Sequence, residues 1–123
     1  MTEFNQDKPI FLQIADRICG EIVVGKYSED GRIPSVRDYG VMLQVNVNTA
    51  VKAYEELARA GIIYQRRGMG YYVTAGAVDR IREQRRHELM TTRLHTLFRE
   101  MQLLDVSLDE VMAEYERFRQ GQQ

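Results

Sequence analysis

The residue types and spacings most suited to chemistry lie at Val47, Asn48, Val51 and Lys52. At about 100° per residue, these four and Glu55 fall on one arc of a helix. Ala50, Ala53, Tyr54 and Leu57 recur on the opposite arc at i, i+3, i+4, i+7, the spacing of a buried stripe. The outward arc is short-chained and mostly uncharged near its start, where a merely solvated helix carries Glu, Lys and Arg. Two valines one turn apart sit poorly in water but suit thymine methyl groups in a DNA major groove. A scaffold helix with two stray valines is the alternative. Asn46 fits the N-cap, its side chain bonding backbone N–H groups of the first turn.

The elements that must position this arc are legible on either side, over residues 33–73. Ile33-Pro34-Ser35 is a turn signal that opens a helical pattern over Val36–Leu43, and Gln44-Val45-Asn46 breaks and restarts the helix. The second pattern runs over 47–60 and stops at Gly61. Residues 62–65 and 71–74 have strand composition, joined by Arg66-Arg67-Gly68-Met69-Gly70. The order helix, tight turn, helix, hairpin predicts a winged helix-turn-helix, whose second helix is the one that enters a major groove. Upstream, Ile10/Phe11, Ile14, Ala15, Ile18 and Ile22 recur at helical spacing towards Gly25, a helix that packs on the other two. Glu29-Asp30-Gly31 reads as a turn, and this upstream stretch as core rather than site.

Charge supports a nucleic-acid partner locally and not globally. The chain has 17 basic and 18 acidic residues, which argues against a protein that coats DNA indiscriminately. Residues 32–74 carry six basic side chains (Arg32, Arg37, Lys52, Arg59, Arg66, Arg67) against Asp38, Glu55 and Glu56. Positive charge confined to the reading head is what phosphate neutralisation needs.

At 123 residues, with 44% hydrophobic and 28% charged content, the chain is a small globular domain with an appendage. Apolar runs are too short to span a bilayer and the N-terminus lacks a signal-peptide pattern, so a cytoplasmic location is expected. Cys19 falls in a helical pattern beside Ile18 and reads as a structural thiol; with no second cysteine, redox sensing is the lesser alternative. His87 and His95 are the only histidines, ~12 Å apart along one helix, so no metal site is expected. The chain holds no phosphate-binding Gly-Lys-Ser loop, no His-x-x-x-His and no nucleophile elbow. No catalytic residue, no cofactor and no enzyme activity are expected.

In order and spacing, residues 8–74 resemble the GntR family of bacterial transcription regulators, and the short tail is most similar to the YtrA subfamily. The resemblance rests on Pro9-Ile10-Phe11-Leu12-Gln13-Ile14, Gly25, Gly31, Pro34-Ser35-Val36-Arg37 and Val45-Asn46-Val47-Asn48-Thr49. It continues through Ala53-Tyr54-x-x-Leu57 and Gly61 to Gly68-Met69-Gly70-Tyr71-Tyr72-Val73. Two departures stand out. Tyr39-Gly40 replaces a common Leu-Ala, a glycine costing its helix roughly 0.5–1 kcal/mol unless close packing needs the missing methyl. Asn46-Val47 replaces a common Ser-Arg, which alters the expected operator but resembles the Asn-Pro-Asn-Thr run of YtrA-like proteins.

What the resemblance implies can be placed residue by residue. Arg37, with Ser35 beside it, would clamp a phosphate or reach a guanine edge. Asn46, Asn48 and Thr49 would sit at the start of the recognition helix, Asn48 able to read an adenine edge in bidentate fashion. Lys52 would contact phosphate or a base further along the groove. Gly68 would let the wing backbone approach the minor groove, with Arg66 and Arg67 supplying charge. Arg32 and Arg59 read as surface charges.

Residues 77–123 are expected to form a dimerisation region after a winged domain at 1–76. One long helix is predicted over 78–104, with Met90, Leu94, Leu97, Met101 and Leu104 alternating steps of four and three as in a heptad seam. Ser107-Leu108-Asp109-Glu110 is a capping-box pattern opening a second helix, whose stripe is Leu108, Val111, Met112, Tyr115 and Phe118. A two-helix hairpin cannot bury both stripes alone, so a two-fold homodimer follows, the alternative being that the hairpin folds back on its own head. The fold class expected is mainly α with a small β-hairpin (α+β). The function expected is a homodimeric repressor on a palindromic DNA operator, with a protein-docking winged helix or an unspecific architectural DNA binder as alternatives. A small-molecule effector is allowed, but some 47 tail residues cannot enclose a drug-sized cavity within one subunit, so no site is identified.

Overall fold

The computed structural model describes residues 8–122, whose order is α1 (Ile10–Val23), α2 (Val36–Leu43), α3 (Val47–Arg59), β1 (Ile63–Arg66), β2 (Gly70–Val73), α4 (Ala77–Glu88), a π-helical turn (Leu89–Arg93), α5 (Leu94–Leu104) and α6 (Leu108–Gly121). This is the mainly helical, small-hairpin architecture that the sequence pattern implies. The expectation drawn from the N-terminal pattern falls in part on residues 1–7, which lie outside the described residues. No helix among the described residues is long and apolar enough to cross a membrane. The chain divides into two compact units between Glu83 and Gln84.

In the first unit the helical periodicities become a core. Ile14, Ile18 and Ile22 of α1 are fully buried against Ala53, Tyr54 and Leu57 of α3, with Tyr39 and Leu43 contributed by α2. Ile10, grouped with that stripe in the sequence, is instead 48% exposed, because it stands in the first helical turn beyond the edge of the core. The strands lie one residue from their expected places, pairing antiparallel with Ile63 opposite Val73 and Tyr64 opposite Tyr72. Ile62 belongs to the stop of α3, its N–H returning to Leu57 O at 2.9 Å. A third segment runs beside the hairpin: Asp30 N–H reaches Val73 O at 2.7 Å, Val73 N–H reaches Gly31 O at 2.9 Å, and Ile33 N–H reaches Tyr71 O at 3.0 Å.

Four helices end in the same way. Lys26 N–H bonds Glu21 O, Val45 N–H bonds Gly40 O, Ile62 N–H bonds Leu57 O and Val106 N–H bonds Met101 O. Each closes around a left-handed residue: Gly25, Gln44, Gly61 and Asp105. This six-to-one closure satisfies carbonyls that the last helical turn leaves without partners. At Gly61 and Gly25 glycine announces the stop in the sequence, whereas Gln44 and Asp105 adopt it with a side chain attached.

The two expected tail helices are present with one change. The helical path over 78–104 passes through the π turn at Leu89–Arg93, where Thr91 Oγ1 donates to His87 O at 2.7 Å. A threonine hydroxyl bonding the carbonyl four residues back competes with the regular backbone ladder, which is how such a turn is accommodated. The capping box is formed as the sequence implies, Glu110 N–H to Ser107 Oγ at 3.1 Å and Ser107 N–H to Glu110 Oε2 at 2.7 Å.

Gly40 is buried, but a β-carbon there would stand 3.6 Å from Val45 O, 3.7 Å from Ala50 Cβ and 3.8 Å from Val47 Cα. These are ordinary contact distances, so close packing does not require the glycine. Gly40→Ala is expected to stabilise the first unit by about 0.5–1 kcal/mol, read as a higher denaturant midpoint at unchanged m-value.

Candidate nucleic-acid interface

Two faces of one helix divide the work in α3. Ala50, Ala53 and Tyr54 have no exposed surface and Leu57 almost none, whereas Val47 and Val51 are 46% and 37% exposed with Asn48, Lys52 and Glu55 beside them. The cap that starts this helix is Asn46, whose Oδ1 accepts the Asn48 N–H at 2.7 Å. Its amide oxygen is therefore engaged by the helix, leaving the amide N–H groups as what it can offer a ligand. Thr49 is half-buried at the side of the arc.

The preceding helix is prepared in the same manner. Ser35 Oγ accepts the Asp38 N–H at 3.1 Å, capping α2, and its hydroxyl proton stays available to donate outward. Arg37 stands exposed in the first turn of α2. Further along α3, Arg59 pairs with Glu56, in keeping with its reading as a surface charge.

The wing gathers more than its tip residues. Met69 N–H closes on Arg66 O at 2.9 Å, placing Arg67 and Gly68 at the apex. Gly68 has φ +76° and open space where a side chain would stand, so its backbone is accessible to a close partner. Arg66 lies with its guanidinium 4.5 Å from the centre of the Tyr72 ring. Arg32, read from the sequence as a surface charge, folds over the hairpin: a β-carbon on Gly70 would come within 3.2 Å of its Nε. The bridge between Arg32 and Tyr72 brings it there. No pattern within the sequence signals this, because the segment holding Arg32 and β2 are some forty residues apart.

The start of α4 also bears on the interface. Ala77 and Ile81 are buried in the first unit's core, and Arg80 Nη1 donates to Ala60 O at 3.2 Å at the C-terminal end of α3. A cation at that end suits the helix dipole. Glu29 accepts the Gly76 N–H, so the 29–31 turn is tied to the wing and to α4 rather than serving the core alone.

In the tail, the residues assigned to dimerisation remain largely outside. Leu94, Met101 and Val111 are half-buried, while Met90, Leu97, Leu104, Leu108, Met112 and Tyr115 are exposed. Among the described residues no buried side chain lies beyond Ile81. No group of His, Cys, Asp or Glu among them could hold a metal ion.

Comparison with known proteins is consistent with this geometry. The profile described as "Bacterial regulatory proteins, gntR family" matches residues 11–73. The HTH-type transcriptional regulator YhcF of Bacillus subtilis is 31% identical over 97% of each chain. A solved transcriptional regulator of the GntR family from Bacteroides thetaiotaomicron shares 41% identity and a TM-score of 0.79, covering 94% of this chain and 100% of that one. The DNA-binding domain of AraR in complex with its operator ORR3 is 28% identical with a TM-score of 0.53, over 60% of this chain and 87% of that one.

Asn46 and Asn48 are expected to separate in a stability measurement. Asn46→Ala should cost about 1 kcal/mol through the lost cap, while Asn48→Ala, exposed on the outward arc, should stay within about 0.5 kcal/mol of wild type. Paired denaturant titrations read both.

Proposed function

The chain belongs to the GntR family of bacterial regulatory proteins, and from that premise we propose that it is a homodimeric repressor acting in the cytoplasm on a palindromic DNA operator. That it is a helix-turn-helix transcription regulator and not an enzyme follows from the family and its relatives. The observation that carries the finer reading is the outward arc of α3, where Val47 and Val51 stay exposed on a capped, rigid helix. In a major groove these valines meet thymine methyls and Asn48 meets an adenine edge. Ser35, Arg37, Asn46, Thr49 and Lys52 flank them as phosphate or further base contacts. Gly68 then lies near the minor groove with Arg66 and Arg67 beside it.

The second unit supports the dimer. Leu97, Leu104, Leu108, Met112, Tyr115 and Phe118 are between 39% and 74% exposed on two amphipathic helices that bury no side chain of their own. Fully burying one such side chain is worth about 1.5–3 kcal/mol, so a second copy pairing along Met90, Leu94, Leu97, Met101, Leu104 and the α6 stripe has a strong driving force. A two-fold dimer presents two recognition helices, which is what a palindrome requires. Bound across a promoter, it represses by occlusion. The short tail and the Asn46-Val47-Asn48-Thr49 run favour the YtrA-like branch of the family. An effector site is not assigned.

Selection from a random duplex pool, followed by affinity against salt, tests this reading. The expected result is a palindrome with half-sites about one helical turn apart and a steep salt slope; no enrichment, with weak binding lost at physiological salt, turns the reading towards a protein-docking role. Leu97→Asp should leave the first unit folded, give a monomer by sedimentation and abolish tight operator binding. A stable dimer after that change removes the tail as the interface.

A further inference from the structure

One cluster on the wing is organised beyond what a solvated surface needs. Tyr64 and Tyr72, directly opposite each other on β1 and β2, stack with ring centres 5.9 Å apart and planes inclined at 25°. Arg66 lies over both, its guanidinium carbon 4.5 Å from the Tyr72 ring centre and 5.8 Å from that of Tyr64. Its Nη2 is 3.5 Å from Tyr64 Oη, and that hydroxyl donates to Asp30 Oδ1 at 3.2 Å. Asp30 is fixed in turn, left-handed at φ +61° with its N–H on Val73 O at 2.7 Å. An exposed arginine thus stands at the end of a chain of contacts anchored in the backbone of the wing.

We propose that Tyr72 and Tyr64 are positioning residues that pre-order the Arg66 guanidinium for a DNA phosphate beside the wing. This rests on the reading of the wing as a DNA contact and deepens it. A guanidinium held with its carbon over the Tyr72 ring and its Nη2 towards Tyr64 Oη leaves its remaining N–H groups for phosphate oxygens. Holding it there before binding removes part of the rotamer entropy that an unsupported arginine loses on contact. The ring contact uses none of these remaining N–H groups, so it does not compete with the ligand. A lysine has no planar face to lay on the ring, so charge alone does not reproduce the arrangement.

The test is a double-mutant cycle on affinity, with the duplex most enriched in the selection as probe. Tyr72→Leu is expected to weaken binding about two- to fivefold per wing, and to cost nothing further in the Arg66→Ala background. Tyr72→Phe, which keeps the ring, should bind as wild type, and Arg66→Lys should fall with Arg66→Ala. Arg66→Ala should also make the salt slope shallower by about one per wing. Equal costs of Tyr72→Leu in both backgrounds, or Arg66→Lys binding as wild type, overturn the proposal and leave operator recognition standing. If Tyr72→Leu fails to fold, Arg66→Lys at its exposed position decides alone. A wild-type chain that binds no duplex overturns the operator reading, and this inference with it.

Discussion

Tyr54 holds the reading head together through one hydroxyl and one ring. It is fully buried on α3, and its hydroxyl donates to Pro34 O at 2.6 Å, immediately ahead of the Ser35 cap of α2. Its ring meets Tyr39 of α2 edge-on at 6.2 Å and Tyr71 of β2 edge-on at 5.2 Å. Both helices and the wing are therefore indexed to a single side chain. A buried hydroxyl left without its acceptor costs about 1–3 kcal/mol, so the position of Pro34 against α3 is specified and not merely permitted. Burial pushes the Tyr54 hydroxyl well above its ordinary pKa, and the same holds for Tyr39, whose hydroxyl donates to Glu21 at 2.9 Å. Both phenols remain protonated donors across any physiological pH, and this latch does not titrate.

With α2, α3 and the wing fixed to one another, the outward groups inherit that rigidity. Asn46 caps α3 and Ser35 caps α2, so the helix starts bearing the proposed contacts are held by their own side chains. The six-to-one closures around Gln44 and Gly61 then set where α3 is entered and left. From α4, Arg80 bonds the carbonyl of Ala60, the C-cap of that helix. A helix held at its entry, its exit and its buried face presents Val47, Asn48, Val51 and Lys52 at fixed spacing, which is the geometric condition that the proposed reading of base edges needs.

The two units differ in how their apolar residues are used. The first buries Ile14, Ile18, Ile22, Tyr39, Tyr54, Ala50 and Ala53 within itself, whereas the second has sound local structure, with a capping box and a left-handed stop at Asp105, but among the described residues buries no side chain. Helices of this kind draw little stability from propensity alone and depend on packing of their apolar face. The proposed dimer gives that face its partner, which couples assembly to the pairing of two reading heads.

The sequence by itself determined the elements, their order and the two faces of α3, since hydrophobic periodicity, N-caps and glycine stops act over a few residues. The capping box at Ser107 and Glu110 and the cap at Asn46 were legible for the same reason. The strand ends shifted by one residue, and Ile10 lay outside the core, because boundaries depend on what packs against them. Arg32 against Gly70, Arg66 on Tyr72, Asp30 behind Tyr64 and Arg80 on Ala60 were decided only by tertiary structure. Each joins groups set by the pairing register of the hairpin, by a third segment lying against it, or by a helix returning to the core. Such contacts arise when the backbone closes on itself, and no period along the chain encodes them.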